Sequence, residues 1–314
     1  MKWRDAQREG MFAAADAHDA LRLDVTQRVD VYSALTRLDI AVMSRPLRGV
    51  AGLFIPSSGD RGAGVLISSL HPPARQRFTA AHELGHHWLG HEASLDVGIE
   101  LFARTGTKGS LPADEMIAES FASWFLMPTE AVERTLEALN RPHASTPADV
   151  YAVSLRLGTS YLATTHHMKT LGLVDPHVSR GWEKVAPRRI KAMLSKDACL
   201  PASRQDVWAL SSLDHGRTLQ VRAGDRFVVT LPEVEGAGWE PVDKPGEALR
   251  AVRAVPEGRP ELFPEPRAFR SFVLDLDPEA AGIVELRFRR RLAEEYIVHL
   301  AVEQPLLGPV GSKP

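Results

Sequence analysis

The sequence predicts a multidomain α+β protein, and three changes of texture along the chain predict it. Residues 1–135 mix helical periodicity with three short apolar runs. Within residues 136–195 the pattern is wholly helical from about 147, with a glycine turn between two helices, and residues 196–314 break into β-branched runs punctuated by proline and glycine. These are the expected domain boundaries.

In chain order, residues 4–20 have helical composition, and "VTQRVDVYSALTRLDI" reads as a second helix feeding a strand. "IAVMS", "VAGLFIP" and "AGVLISS" are strand-length apolar runs, and the "SSGDRGAG" tip marks a hairpin, so a small antiparallel sheet is expected. "PPARQRFTAAHELGHHWLGH" follows as a helix that prolines can begin without interrupting it. After the loop "RTGTKGS", "PADEMIAESFASWFLMP" forms another helix, opened near Pro112 and stopped by Pro128. "TPADVYAVSLRLGTSYLATTHHMKTLGLVD" gives a helix ending near Leu157, a tight turn at Gly158 and a second helix from Ser160, which is helix-turn-helix spacing. The next stretch, Arg180 to Lys196, is strongly basic. Beyond it "RTLQV", "RFVVTLP", "SFVLDLD", "GIVELRFRR" and "EYIVHLAVE" read as strands, and the tail "PLLGPVGSKP" as disordered.

With 44% hydrophobic and 25% charged residues in 314, the chain has ample material for globular cores. Its net charge of −2 excludes a generally basic nucleic-acid coat. The single cysteine, Cys199, excludes an internal disulfide and a cysteine-rich zinc module. The charged N-terminus has no apolar signal core, and no apolar run reaches the length of a membrane span. A soluble, cytoplasmic protein without a membrane partner is therefore expected.

Four histidines crowd into "TAAHELGHHWLGH", Thr79 to His91. Residues four apart stand above one another on a helix, so His82 and His86 point the same way, at the separation two imidazoles need to grip one ion. Phe78, Gly85 and Leu89 share the stripe, an apolar surround whose glycine leaves room for the ion. Glu83, one residue round the helix, can lie beside the ion without binding it, as the general base that carries a proton from the attacking water to the leaving amine. The pattern is H-E-x-x-H, the mechanical signature of zinc-dependent peptide hydrolysis. The same ligands accept Mn²⁺ or Fe²⁺. His87 points off the stripe. His91 falls near the helix C-terminus, where the dipole favours positive charge, and neither is expected to hold the ion. A third ligand must come from elsewhere in the chain, and "DEMIAESFASWFLMP" offers Glu115 and, one turn on, Glu119. Glu115 is preferred. Ala118 and Ala122 lie on the same face, where small side chains let two helices approach, and Asp114 suits the positive start of the helix.

"HELGHHWLGH", the helix ending "ESFASWFLMP" and the helical pair "VYAVSLRLGTSYLATTHHMKTLGLVD" together resemble the ImmA/IrrE metallopeptidases over roughly residues 15–175. The β-rich tail makes the likeness strongest for the family's radiation-response regulators. Before its "FA…LMP" signature the family carries Glu-x-x-Ala-Asn. Glu115 and Ala118 match this pattern, while Glu119 replaces the asparagine. The resemblance implies a site-specific intracellular peptidase that cleaves a helix-turn-helix repressor and so releases a DNA-damage regulon. It also implies three parts: a zinc-peptidase domain, a helix-turn-helix domain and a GAF-like sensor domain awaiting a small-molecule signal. "GDRFVVTLPEVEGAGWEP" followed by "GIVELRFRR" also resembles the chagasin-type β-sandwich of protease inhibitors; the GAF-like reading is preferred on family grounds, and the strand pattern alone does not decide between them.

A DNA-reading second helix needs polar and basic residues early in its length. Ser160, Thr164, Thr165, His166, His167 and Lys169 are polar but hardly basic, so a bracing or substrate-gripping hairpin is preferred to direct DNA binding. The rival reading of the whole chain is a non-catalytic DNA-binding regulator with a structural metal site.

Overall fold

The computed structural model describes residues 1–57, 62–91, 95–96, 112–196, 204–233, 238–242, 248–257, 268–290 and 294–304. The "RTGTKGS" loop, Cys199 and the C-terminal tail lie outside them. Two compact units emerge, one within Met1–Glu137 and Arg141–Glu183, the other within Lys184–Pro305. Among the described residues no helix is long and apolar enough to cross a membrane.

The first unit opens with α1 (Trp3–Ala20), whose small buried residues Ala6, Gly10, Ala14 and Ala17 form one stripe. Helix α2 (Val31–Arg37) is shorter than its sequence pattern suggested, because the Asp30 side chain caps it by accepting from the backbone N–H groups of Tyr32 and Ser33. Strands β1 (Ala41–Arg45), β2 (Gly52–Ile55), β3 (Gly64–Ser68) and β4 (Leu95–Asp96) form one sheet in the order β1-β3-β2-β4. The β2–β3 hairpin forms as expected, but the sheet is mixed. Strand β3, the most apolar run and buried on both faces, inserts between its predecessors and so lies parallel to β1.

Helix α3 (Pro73–Trp88) carries the histidine motif and α4 (Ala113–Leu126) the two candidate glutamates. Small residues bring these helices together. A Cβ on Gly85 would stand 2.9 Å from the ring of Phe121 in α4, and one on Gly10 of α1 would stand 2.6 Å from the Phe121 nitrogen. The space at Gly85 is thus filled by Phe121, not kept for an ion; the glycine serves the approach of α3 to α4.

Helix α5 (Thr129–Ala138) follows Pro128 directly. The helical pair is present as α6 (Pro147–Leu157) and α7 (Tyr161–Thr170). A Thr146–Asp149 capping box starts α6, Gly158 in the left-handed region ends it, and Ser160 caps α7. The last carbonyls of α4 have partners on other helices: His18 of α1 pairs through Nε2 with the Phe125 carbonyl at 3.0 Å, and His167 of α7 with that of Met127 at 2.8 Å. Helix α8 (Pro176–Trp182) completes this unit.

In the second unit α9 (Pro187–Leu194) precedes β5 (Val207–Ser211), β6 (Thr218–Val221), β7 (Arg226–Glu233), β8 (Trp239–Pro241), β9 (Leu249–Glu257), β10 (Ala268–Leu276), β11 (Gly282–Arg290) and β12 (Glu294–Val302). They form two four-stranded sheets, β5-β7-β10-β9 and β6-β12-β11-β8. Strand β12 alternates strictly, burying Tyr296, Val298, Leu300 and Val302. Phe272 of one sheet meets Phe288 of the other at 4.7 Å between ring centres. The described residues from Val207 to Val302 form these two sheets with a 3₁₀ turn at Ser212–Asp214 and no α-helix, an arrangement that suits the β-sandwich alternative and does not bear out the expected GAF-like domain.

Candidate metal centre

His82 and His86 project from the buried side of α3, 5% and 4% exposed. Their Nε2 atoms lie 3.0 Å apart. Glu115, on the first turn of α4, reaches both: its Oε2 is 3.3 Å from His82 Nε2 and its Oε1 is 3.5 Å from His86 Nε2. Among the described residues these three form the group of His, Cys, Asp or Glu whose ligand atoms converge within 4.8 Å. Glu119, buried one turn further on, does not belong to it. Its side chain is in the interior but outside the ligand group.

The triangle fits a metal ion. Zinc binds His nitrogen and carboxylate oxygen at about 2.0–2.2 Å, which sets neighbouring ligand atoms of a tetrahedral site about 3.3 Å apart. The two nitrogens stand 3.0 Å apart, and the carboxylate sets one oxygen against each, at 3.3 and 3.5 Å, separations around that value.

Glu83 is 1% exposed. Its Oε1 would stand 3.3 Å from a Cβ built on Gly52, so the carboxylate lies against the backbone of β2. His87 lies away from the triangle, its ring 5.3 Å from that of Phe54. His91 lies outside the ligand group, as expected, and has a neighbour within it. Its Nδ1 lies 3.1 Å from His86 Nδ1, and its Nε2 faces Asp114 Oδ1 at 3.8 Å. The signal for this contact was present in the sequence as the Gly90-His91 pair at the helix end.

In α7, Thr164, Thr165 and His167 are buried, and full burial pushes His167 down to about 4. His166 Nδ1 and Lys169 Nζ both lie near Glu183 Oε1, at 3.5 and 3.3 Å. Of the polar residues named for this helix, the central ones are packing groups and two outer ones face a carboxylate.

Residues 35–167 match the family model of the IrrE N-terminal-like domain, peptidase M78. Over this segment, less than half of the chain, the sequence is similar to that family. The match covers the sheet, both metal-site helices and most of the α6–α7 pair. No curated protein matches the chain. Among solved structures, a Mycobacterium tuberculosis transcriptional regulator is 14% identical, covering 88% of this chain and 81% of its own, with a TM-score of 0.36. A cysteine protease inhibitor from Entamoeba histolytica is 11% identical, covering 32% of this chain and 100% of its own, with a TM-score of 0.28. Amebosin is 13% identical, covering 31% of this chain and 98% of its own, with a TM-score of 0.24. Such low scores carry no further argument.

Proposed function

We propose that this protein is a metal-dependent endopeptidase in which His82, His86 and Glu115 hold a zinc ion and Glu83 is the general base. The observation that carries the reading is the meeting of two imidazole nitrogens, 3.0 Å apart, with the two oxygens of one carboxylate at 3.3 and 3.5 Å, on a segment that matches a peptidase family model. Zinc is preferred for a two-His, one-carboxylate set, and Mn²⁺ or Fe²⁺ would fit the same donors. When bound, the ion supplies Lewis-acid activation of water and of the scissile carbonyl. The chain's own part is proton handling and placement. Glu83, adjacent to His82 on the same helix, takes the proton of the attacking water and delivers it to the departing amine nitrogen. Its position against β2 restricts its rotamers, which favours a fixed proton path.

The substrate we propose is a helix-turn-helix transcriptional repressor whose cleavage induces a DNA-damage or radiation-response regulon, in the cytoplasm. A signal would act through the β-sandwich, where a pocket of about 480 Å³ is lined by His215, Trp239, Arg290 and Tyr296 among others. The rival, a DNA-binding regulator, is disfavoured by α7. A recognition helix must offer side chains to the major groove, and most of this helix is buried.

Wild-type and Glu83→Gln proteins, both zinc-loaded, are to be incubated with lysate of the source organism and new peptide termini mapped by mass spectrometry. A few new termini in a helix-turn-helix repressor, with wild type alone, are expected. Cleavage by both proteins would remove Glu83 from its role. Cleavage by neither, with tight promoter binding of steep salt dependence, would favour the regulator.

A further inference from the structure

We propose, resting on the metal-site reading above, that His91 is a positioning residue. It accepts the Nδ1–H of His86 and so fixes the tautomer that aims the His86 Nε2 lone pair at the ion. A neutral imidazole has one protonated and one bare nitrogen, and the partner of the far nitrogen decides which is which. His86 turns Nε2 toward His82 and Glu115 and Nδ1 toward His91 Nδ1, at 3.1 Å. With Nδ1 of His86 as donor, Nδ1 of His91 is the acceptor and the His91 proton stands on Nε2, facing the Asp114 carboxylate at 3.8 Å. Asp114 and the ligand Glu115 are neighbours on the first turn of α4, so one helix start supports both ends of the arrangement.

The end of α3 is built to deliver this contact. Leu89 is the C-cap and Gly90 follows in the left-handed region, at φ +67°. The Gly90 N–H donates to the His87 carbonyl at 3.2 Å and the His91 N–H to the His86 carbonyl at 3.0 Å. This is the Schellman pattern, which reverses the chain immediately after the helix. The reversal stacks the fifth residue after His86 back over His86 itself, with ring centres 5.1 Å apart and planes at 68°. Partners of this kind act on metal affinity through the ligand's orientation and basicity.

The test measures zinc affinity by chelator competition for wild type, His91→Phe and His91→Asn, with the tautomers of wild-type His86 and His91 read by long-range ¹H–¹⁵N NMR of the zinc-loaded protein. His91→Phe keeps a ring and loses the acceptor, and should weaken zinc about tenfold or more. His91→Asn places an amide oxygen near the lost Nδ1 and should recover most of that loss. The NMR spectrum should place the proton of His91 on Nε2 and that of His86 on Nδ1. An affinity within twofold of wild type for His91→Phe, or a His91 protonated on Nδ1, would overturn the inference while leaving the metal site intact. A wild type that binds no zinc would overturn the underlying reading itself. The NMR measurement needs no variant, so a misfolded His91→Phe leaves the proposal exposed to refutation.

Discussion

In the β-sandwich, the buried carboxylate of Asp225 accepts hydrogen bonds from the Asp206 backbone at 3.1 Å, the Trp208 indole at 2.9 Å and the Arg222 backbone at 3.0 Å. Arg226, also buried, grips Asp275 with two nitrogens at 2.6 and 2.9 Å. Each charge there is met by a neighbour in the same sheet or turn. In the helical unit, His82, His86 and Glu115 instead aim three Lewis-basic atoms at one point from two helices. Burying polar groups has a cost that hydrogen bonds reduce group by group, as around Asp225. A convergence of donors to a cation is a different solution, and it is what separates a site from a scaffold.

The contrast can be broken at either end. The largest effect is expected at Asp225. Asp225→Ala leaves three buried donors without their acceptor and should destabilise the β-rich unit by about 3–5 kcal/mol, with zinc affinity unchanged. Denaturant titration with zinc content measured in parallel checks both halves.

Acid should then affect the two units in opposite senses. His167 is depressed to about 4 from 6.5 by burial, so below 6.5 the unfolded chain binds more protons than the folded one. Its contribution is full above pH 6.5 and is lost as pH falls toward 4, up to about 3 kcal/mol. Asp225 is raised to about 6 from 3.8, again by burial, so its folded form holds the proton more tightly. Its contribution is present below 3.8 and is lost as pH rises through 6. Hydrogen exchange, corrected for intrinsic rates, should show protection at Tyr161–Met168 falling between pH 7 and 4.5. Over that range protection at Arg226–Leu231 should hold or rise through the Asp225 contribution. A parallel fall in both would contradict the assignment of these groups.

A smaller effect is expected from Gly85→Ala. Its methyl group meets Phe121, so α3 and α4 must separate by a few tenths of an ångström, at about 1–3 kcal/mol. Because Glu115 rides on α4, zinc affinity should weaken together with stability. Loss of stability with unchanged affinity would show that the glycine serves packing alone.

Much of the site was legible in the sequence because its logic is local. His82 and His86 are one helical turn apart, and Glu115 stands on a helix bounded by Pro112 and Pro128. The choice between Glu115 and Glu119 was not local, since it depends on how far α4 slides along α3. That offset is set by the contacts of Gly85 and Gly10 with Phe121. His91 was missed because helix-end histidines usually answer to the dipole. Its real partner came from a left-handed Gly90, a signal that is visible only when the cap is drawn explicitly. The mixed order of the first sheet was hidden for another reason: three successive strands suit a simple meander, and only the burial of both faces of β3 moves it to the middle. The sandwich was legible as strands, while the sheet each strand joins depends on long-range pairing such as β5 with β7 and β6 with β12.

The most direct measurement is zinc stoichiometry and affinity in wild type, Glu115→Ala and Glu119→Ala, each checked for native fold by circular dichroism. The account predicts one tightly held equivalent in wild type and in Glu119→Ala, and loss of tight binding in Glu115→Ala. Tight zinc in Glu115→Ala, or its loss in Glu119→Ala alone, would contradict the assignment of the third ligand and with it the geometry on which the proposed chemistry rests.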